Sequence, residues 1–313
     1  MSVIQVLAPG LLTTVQDLGR EGFGPMGVSP SGAADPLALR VGNRLLGNTE
    51  GAAALEMTLL GGTFFFPQGG AIALTGSDFG TTLDNAPVPL WTSLPVKASQ
   101  TLRCGPTRSG PRCYLCVHGG IVVKPFLGSA STHLLSGLGG FEGRALRKGD
   151  VLDIGASPEA YRRRTLSPKA LQKLAPRKVL RVTPGPQSDW FPASSHELFY
   201  ASVYRVTEES NRMGLRLEGP PVAENSKGQM ITEGVSLGAI QITAGGAPII
   251  LFVEQQTTGG YAKIANVISA DLPSLGQLRP RDEIRFEQVD WETARSLLLE
   301  QGRLLAAPDL LLL

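Results

Sequence analysis

Apolar and polar residues alternate over short stretches along most of this chain, and glycine, proline or small polar residues close each stretch. The pattern predicts strands over residues 62–66, 71–75, 113–117 and 150–154, then over 179–183, 239–243, 249–254 and 283–286. Ile240-Gln241-Ile242 reads as a strand with one buried face. Helical periodicity is scarcer. Asp35-Pro36 followed by Leu37, Val41 and Leu45 supplies an N-cap, a proline at the first helical position and one apolar stripe, and Gly47 closes it. Residues 290–302 read as a second helix with Trp291, Ala294 and Leu298 along one side, and 167–174 as a short third. The fold class is mostly β with few helices.

The chain also echoes itself. Residues 56–61 precede the strand at Phe64, and residues 233–238, which likewise open on glutamate and end in Leu-Gly, precede the strand at Ile240. His118-Gly119-Gly120 corresponds to Thr258-Gly259-Gly260, each shortly after an apolar strand. Residues 146–150 correspond to 278–282, each opening a strand on an aspartate. One such echo is what glycine-rich turns produce by chance. Three in the same order predict an internal duplication of one β unit, the first copy enlarged by residues 76–102. Domains over 1–160 and 178–290 follow, with a polar connection between them and a C-terminal helix and tail over 291–313.

At 313 residues the chain exceeds the ~250–300 at which one core usually divides. Apolar residues at 42% and charged residues at 18% place it among folded proteins, and 38 glycines with 23 prolines fit a turn-rich β chain. With 29 basic and 27 acidic residues interspersed there is no basic stripe for nucleic acid. The richest basic stretch, Arg162, Arg163 and Arg164 with Lys169, Lys173, Arg177 and Lys178, reads as a solvated connection. Three cysteines give no disulfide framework and suggest a reducing compartment. No apolar run approaches the ~20 residues of a bilayer span, and the first residues lack a basic flank followed by an apolar run. The expectation is a cytoplasmic protein with no membrane or nucleic-acid partner.

Several chemistries lack their motifs. No Gly-x4-Gly-Lys-Ser/Thr phosphate loop, dinucleotide fingerprint or Gly-x-Ser-x-Gly elbow occurs. Cys104, Cys113, Cys116 and His118 have the residue types of a zinc set. An offset of three along a strand places Cys113 and Cys116 on opposite faces, however, so buried core thiols are expected and no metal. No Met-Lys-Met-like biotin attachment site occurs either.

Three segments carry candidate chemistry. In residues 254–264 an apolar strand runs into a polar turn with paired glycines, Gly259 and Gly260. There backbone N–H groups can approach an anion, and Lys263 can neutralise charge on a carbonyl or phosphoryl oxygen. An ordinary hairpin with an exposed lysine explains the same residues. In residues 13–20 and 32–36, Asp17, Arg20 and Asp35 sit on turns beside a helix N-terminus, and Asp35 is also a natural N-cap. In residues 209–220, Arg212 is placed to recognise a carboxylate or to form a surface salt bridge.

Together, residues 13–19, 32–35 and 43–48, then 115–121, 127–129 and 139–144, and finally 211–220, 255–263 and 268–273, resemble the KipA/allophanate-hydrolase-subunit-2 family. The resemblance runs over about residues 3–287. It implies two cyclophilin-like β-barrel domains and partner chains, a KipI/subunit-B-type protein and a LamB/YcsF-type protein. Its members divide among ATP-dependent cleavage of 5-oxoproline, carboxyl transfer from biotin to urea, and KipA-like regulation of a KipI-type kinase inhibitor. A chain without a fused biotin carboxylase or carrier favours the first. The resemblance assigns Lys263 and Asp35 to catalysis and Gln255, Thr258, Gly259, Gly260 and Tyr261 to the pocket of a small-molecule substrate. Arg20, Asn211 and Arg212 are added as substrate contacts. ATP is expected as a co-substrate of the complex, bound here or on a partner. The sequence departs from the family at Cys116 and His118, where small residues are usual.

Overall fold

The computed structural model describes residues 2–157, 159–225 and 230–313. Contacts divide the chain into two units. The first takes Met1–Arg20, Ser31–Leu174 and Leu305–Leu313, and the second takes Glu21–Pro30 and Ala175–Leu304.

The first unit is built on two large sheets. One has seven strands in the order Ile121–Val122, Val151–Ile154, Val3–Ala8, Thr63–Phe66, Gln100–Arg103, Thr82–Leu83, Ala86–Pro87. The other has five: Leu12–Gln16, Ala54–Thr58, Arg112–Val117, Gly70–Gly76, Ser93–Val96. Alternate side chains of both sheets, among them Ile4, Phe64 and Leu102 from one and Val15, Leu74 and Leu115 from the other, merge into one apolar core. The extra residues 76–102 lengthen both sheets. Helix Pro36–Leu45 begins at the expected cap, where the Asp35 carboxylate accepts from the Ala38 N–H at 3.0 Å. It lies on the strands Gly70–Gly76 and Arg112–Val117. Gly42 permits that approach, since a Cβ there would stand 2.5 Å from Cys116 Sγ. The tail returns to this unit: Leu311–Leu312 pairs with Thr165–Leu166, and Leu310 is buried.

The second unit is a closed barrel of seven strands in the order Val179–Pro184, Lys263–Val267, Ala239–Ile242, Pro248–Leu251, Gly214–Glu218, Tyr204–Val206, Glu283–Gln288. The parallel pairing of Val179–Pro184 with Glu283–Gln288 completes it. The C-terminal helix is Trp291–Ala306, ending four residues beyond where its periodicity indicated, and it is capped by Asp290, which accepts from the Thr293 N–H. Its side carrying Trp291, Ala294 and Leu298 borders an open groove instead of core, and Trp291 is 67% exposed. Helix Ala193–Ala201 has no sequence forecast. Its N-cap position is Pro192, which makes no side-chain cap bond, and the helix is held by Phe199 stacking on Phe286 with ring centroids 4.5 Å apart.

The third echo is the same turn built twice. Asp150 accepts from the Arg147 N–H at 2.7 Å and Asp282 from the Arg279 N–H at 2.8 Å. Gly149 and Arg281 both take positive φ, +93° and +73°. Each then hydrogen-bonds a neighbouring strand, Gly149 N–H to Val6 and Arg281 N–H to Val206, and each valine returns a bond to its aspartate carbonyl. The first echo diverges: Glu56 is buried within a strand, while Glu233 is half-exposed in a two-residue strand. No helix among the described residues is long and apolar enough to cross a membrane.

Candidate active site

Lys263 opens a barrel strand, and only 2% of it is exposed. Burying an ammonium is costly unless a partner and hydrogen bonds replace water. Both are supplied. Nζ lies 2.7 Å from Glu233 Oε1 and donates to the Tyr261 carbonyl at 3.4 Å. Gln187 braces the pair from a third segment: its Nε2 donates to the same Glu233 oxygen at 2.9 Å, and its Oε1 accepts from the Lys263 N–H at 3.2 Å. The hydrogen bond from Lys263, then that from Gln187, holds the Glu233 carboxyl below the usual carboxylate range. Glu233 is itself fixed by a short ladder in which it pairs with Gly259, and Gly234 with Thr258.

That ladder brings the paired-glycine turn against the barrel wall. Gln241 and Lys263 are register partners across adjacent strands. Gly259 backs onto the Gln241 amide so closely that a Cβ would stand 2.5 Å from Nε2 and 3.1 Å from Gln256 Nε2. Gln255 donates to the Val235 carbonyl, leaving its buried Oε1 without a partner among the described residues. Tyr261 is half-exposed and lines a cavity of about 220 Å³ with Asn211, Arg216, Gln241, Thr243 and Gln256. Thr258 is exposed, and Gly260 lies beside Thr232. Asn211 accepts from the Met213 N–H at 2.8 Å. Arg212 is buried in an ion pair with Glu254, neither at the surface nor facing that cavity.

The remaining two candidates belong to the first unit. Asp35 caps its helix, and its own N–H donates to the Tyr114 hydroxyl at 2.8 Å. That hydroxyl donates to Glu56 at 2.7 Å, and Glu56 pairs with Arg112 in the core. Burial, and then the Glu56 charge, push Tyr114 well above the ordinary tyrosine range, so it remains a hydroxyl. Arg20 is buried as well. It donates to the carbonyls of Phe126 at 3.3 Å and Ser131 at 2.5 Å, with its guanidinium 5.5 Å from the Phe126 ring centre. Asp17 ties down the same loop through Ser129, Ala130 and Ser131. These contacts make Arg20 and Asp17 the braces of the 126–131 loop.

The structure thus gathers Lys263, Gln255, Thr258, Gly259 and Tyr261 in the second unit, with Asn211 at the cavity rim. Asp35 and Arg20 belong to the other unit. Sequence reading missed Glu233, Gln187 and Gln241. Glu233 stood in plain view as the first residue of an echo, and Gln241 as the polar member of an alternating strand. Cys113 faces the apolar core and Cys116 faces helix Pro36–Leu45. Burial pushes the Cys104 thiol up to about 12.

The second unit is thus a closed barrel that carries a buried lysine, paired with a half-exposed glutamate, beside a glycine-paired turn. Residues 26–288 match the family described as carboxyltransferase domain, subdomain A and B, and the chain belongs to it. It is 39% identical over 303 residues to the C subunit of 5-oxoprolinase from Escherichia coli (strain K12), covering 96% of each chain. It is 38% identical to the corresponding 5-oxoprolinase chain of Haemophilus influenzae, covering 94% of each. Urea amidolyase of Saccharomyces cerevisiae is 37% identical over 95% of this chain but only 17% of its own. Among solved structures, the urea amidolyase of K. lactis superposes with a TM-score of 0.90 at 33% identity, over 97% of this chain and 20% of that one. The Kluyveromyces lactis urea carboxylase gives 0.89 at 34% identity, with 29% of that chain covered. The chain therefore spans a fifth to under a third of those two solved proteins.

Proposed function

We propose that this chain is the C subunit of an ATP-dependent 5-oxoprolinase. With a KipI/subunit-B-type protein and a LamB/YcsF-type protein, it would convert 5-oxoproline, ATP and water to L-glutamate, ADP and phosphate in the cytoplasm. The observation that carries the reading is reciprocal coverage: the alignment takes in 96% of this chain and 96% of its E. coli relative. In the amidolyase of S. cerevisiae the match is 17% of a much larger protein.

An unactivated lactam hydrolyses very slowly. Phosphorylating its oxygen with ATP makes the ring carbon electrophilic. Water then adds to that carbon, the C–N bond opens as the nitrogen takes a proton to leave an acyl phosphate, and a second water hydrolyses the acyl phosphate to glutamate and phosphate. Such chemistry depends on positioning and on fixed charge. In this reading the Lys263 ammonium neutralises oxygen charge, Glu233 and Gln187 hold it in place, and the Gly259-Gly260 backbone approaches the substrate. Asp35 is assigned the lactam N–H or a proton, and that role has its own test. Asparagine caps a helix as well as aspartate does. Asp35→Asn should therefore keep its melting temperature and lose glutamate formation; unchanged kinetics would remove Asp35 from the mechanism.

The test of the whole reading is reconstitution with the two partner types, following glutamate from 5-oxoproline and ATP. Glutamate formed only when this chain is present supports it; none from a well-formed complex overturns it. Biotin-dependent carboxyl transfer to urea or a related amide is the second reading, favoured by the family match and the two solved relatives. It predicts association with a biotin carboxylase and a biotin carrier, since no attachment site is evident here. A KipA-like regulator, by contrast, would keep its activity after Lys263→Met.

A further inference from the structure

The 220 Å³ cavity of the second unit has a one-sided chemistry. At roughly 30 Å³ per water it has room for about seven waters, or for a small organic molecule of under ten heavy atoms. Its lining offers hydrogen-bond donors and one cation and, among the described residues, no acidic side chain. Gln241 is 1% exposed, yet its Nε2 has no partner among the described residues. A buried amide left unbonded costs about 1–3 kcal/mol, so a group that accepts from it is expected. Arg216 stands two strands away, where it and Gln241 are both register partners of Ile249 on the strand between them, and its ion pair with Glu209 is loose at 3.8 Å, both half-exposed or more. The Asn211 Oδ1 is committed to the Met213 N–H, which leaves its NH₂ to offer. Gln256 and Tyr261 add two more polar groups from the glycine-paired turn.

We propose that this cavity is the binding site for the carboxylate of a small substrate, with Arg216 forming the ion pair and the Gln241 carboxamide donating beside it. An arginine fork matches a carboxylate bidentately, and the amide supplies a donor that rejects apolar isosteres. The inference deepens the 5-oxoprolinase reading and rests on it for the identity of the acid, since 5-oxoproline is a cyclic amide that carries one carboxylate. Gln241 and Lys263 are register partners, so a carboxylate held here places the rest of a small ring toward the Lys263–Glu233 pair.

The experiment has two arms, both on the full-length chain. In the reconstituted complex, Arg216→Gln and Gln241→Leu should each raise KM for 5-oxoproline at least tenfold while kcat stays within about threefold. In the chain alone, 5-oxoproline should shift the side-chain amide NMR signals of Gln241 and Gln256. 2-Pyrrolidinone, the same lactam without the carboxylate, should bind at least tenfold more weakly, and Arg216→Gln should abolish the difference. Equal binding of the two lactams, or unchanged KM in both variants, overturns the proposal. If the wild-type complex forms no glutamate, the 5-oxoprolinase reading fails by itself. The cavity is then judged by simple carboxylates such as acetate and succinate: Arg216-dependent shifts of Gln241 sustain it, and their absence removes it.

Discussion

Arg212 and Glu254 allow a sharp test of what an arginine beside a binding turn is for. The Arg212 Nε donates to Glu254 Oε1, and their side chains are 7% and 3% exposed. The Glu254 N–H also donates to the Arg212 carbonyl at 2.8 Å. The pair closes the end of the ladder in which Gly214 faces Leu251, and so sets where Asn211 and Gln255 leave the barrel. Removing one member of a buried ion pair strands the other charge and costs about 3–5 kcal/mol, whereas replacing both with apolar groups is often neutral. At about 2–4 °C per kcal/mol for a unit of this size, Arg212→Met should lower the melting temperature by roughly 6–20 °C. Arg212→Met/Glu254→Leu should recover most of that loss. Calorimetry and circular dichroism on the full chain measure it, and the reconstituted enzyme supplies KM. A clamp predicts that the double variant regains KM within about threefold of wild type. A single Arg212→Met within about 1 kcal/mol of wild type would refute the clamp. So would a double variant as unstable as the sum of its parents. A stable double variant with a large KM would return Arg212 to the substrate.

Lys263→Met should abolish at least ~99% of kcat/KM in the reconstituted enzyme, a loss of about 3 kcal/mol of transition-state stabilisation. The same substitution removes the first cause of the low Glu233 pKa, so that carboxyl should titrate higher by NMR. Because the folded pKa lies below the unfolded value of about 4.3, its stabilisation is complete above that pH and is lost as pH falls through the folded pKa. The wild-type advantage in melting temperature should therefore shrink on going from pH 7 to acid. Gly259→Ala meets two amide ends and a Val235 methyl but no backbone strain, so about 1 kcal/mol of stability is expected to go, with a KM increase as Gln241 and Gln256 are displaced. Gly140→Ala places a Cβ 1.9 Å from Thr132 Oγ1 at φ +56° and should cost several times more in a thermal melt. Asp150→Asn and Asp282→Asn, which weaken the two copies of one turn, should each destabilise the chain by about 1 kcal/mol and add independently.

The duplicated turn was legible in the sequence because every contact that defines it is either local, aspartate to the amide three residues before, or made by backbone. Strands with one apolar face were legible for the same reason: a period of two needs no knowledge of the partner. Helix Ala193–Ala201 was not, since its cap position is a proline and its anchor, Phe199 on Phe286, spans most of a barrel. The site divides along the same line. The glycine-paired turn and Lys263 announce themselves within eleven residues. Glu233 and Gln187 reach Lys263 from 30 and 76 positions away. Gln241 shows the limit most clearly. Alternation places it on the solvent side of its strand, and it does leave the apolar interior, but Gly259 folds back over that side and buries it. The Nε2 of a polar strand residue covered in this way is desolvated with no partner among the described residues, which is a reason to look for a ligand at that atom and not at the arginines whose residue type alone draws notice. Arg20 and Arg212 fit carboxylate recognition by residue type alone, and both are occupied by groups of their own unit. Arg216, which the sequence presents as one more strand arginine, is the one that borders the cavity holding an unbonded amide.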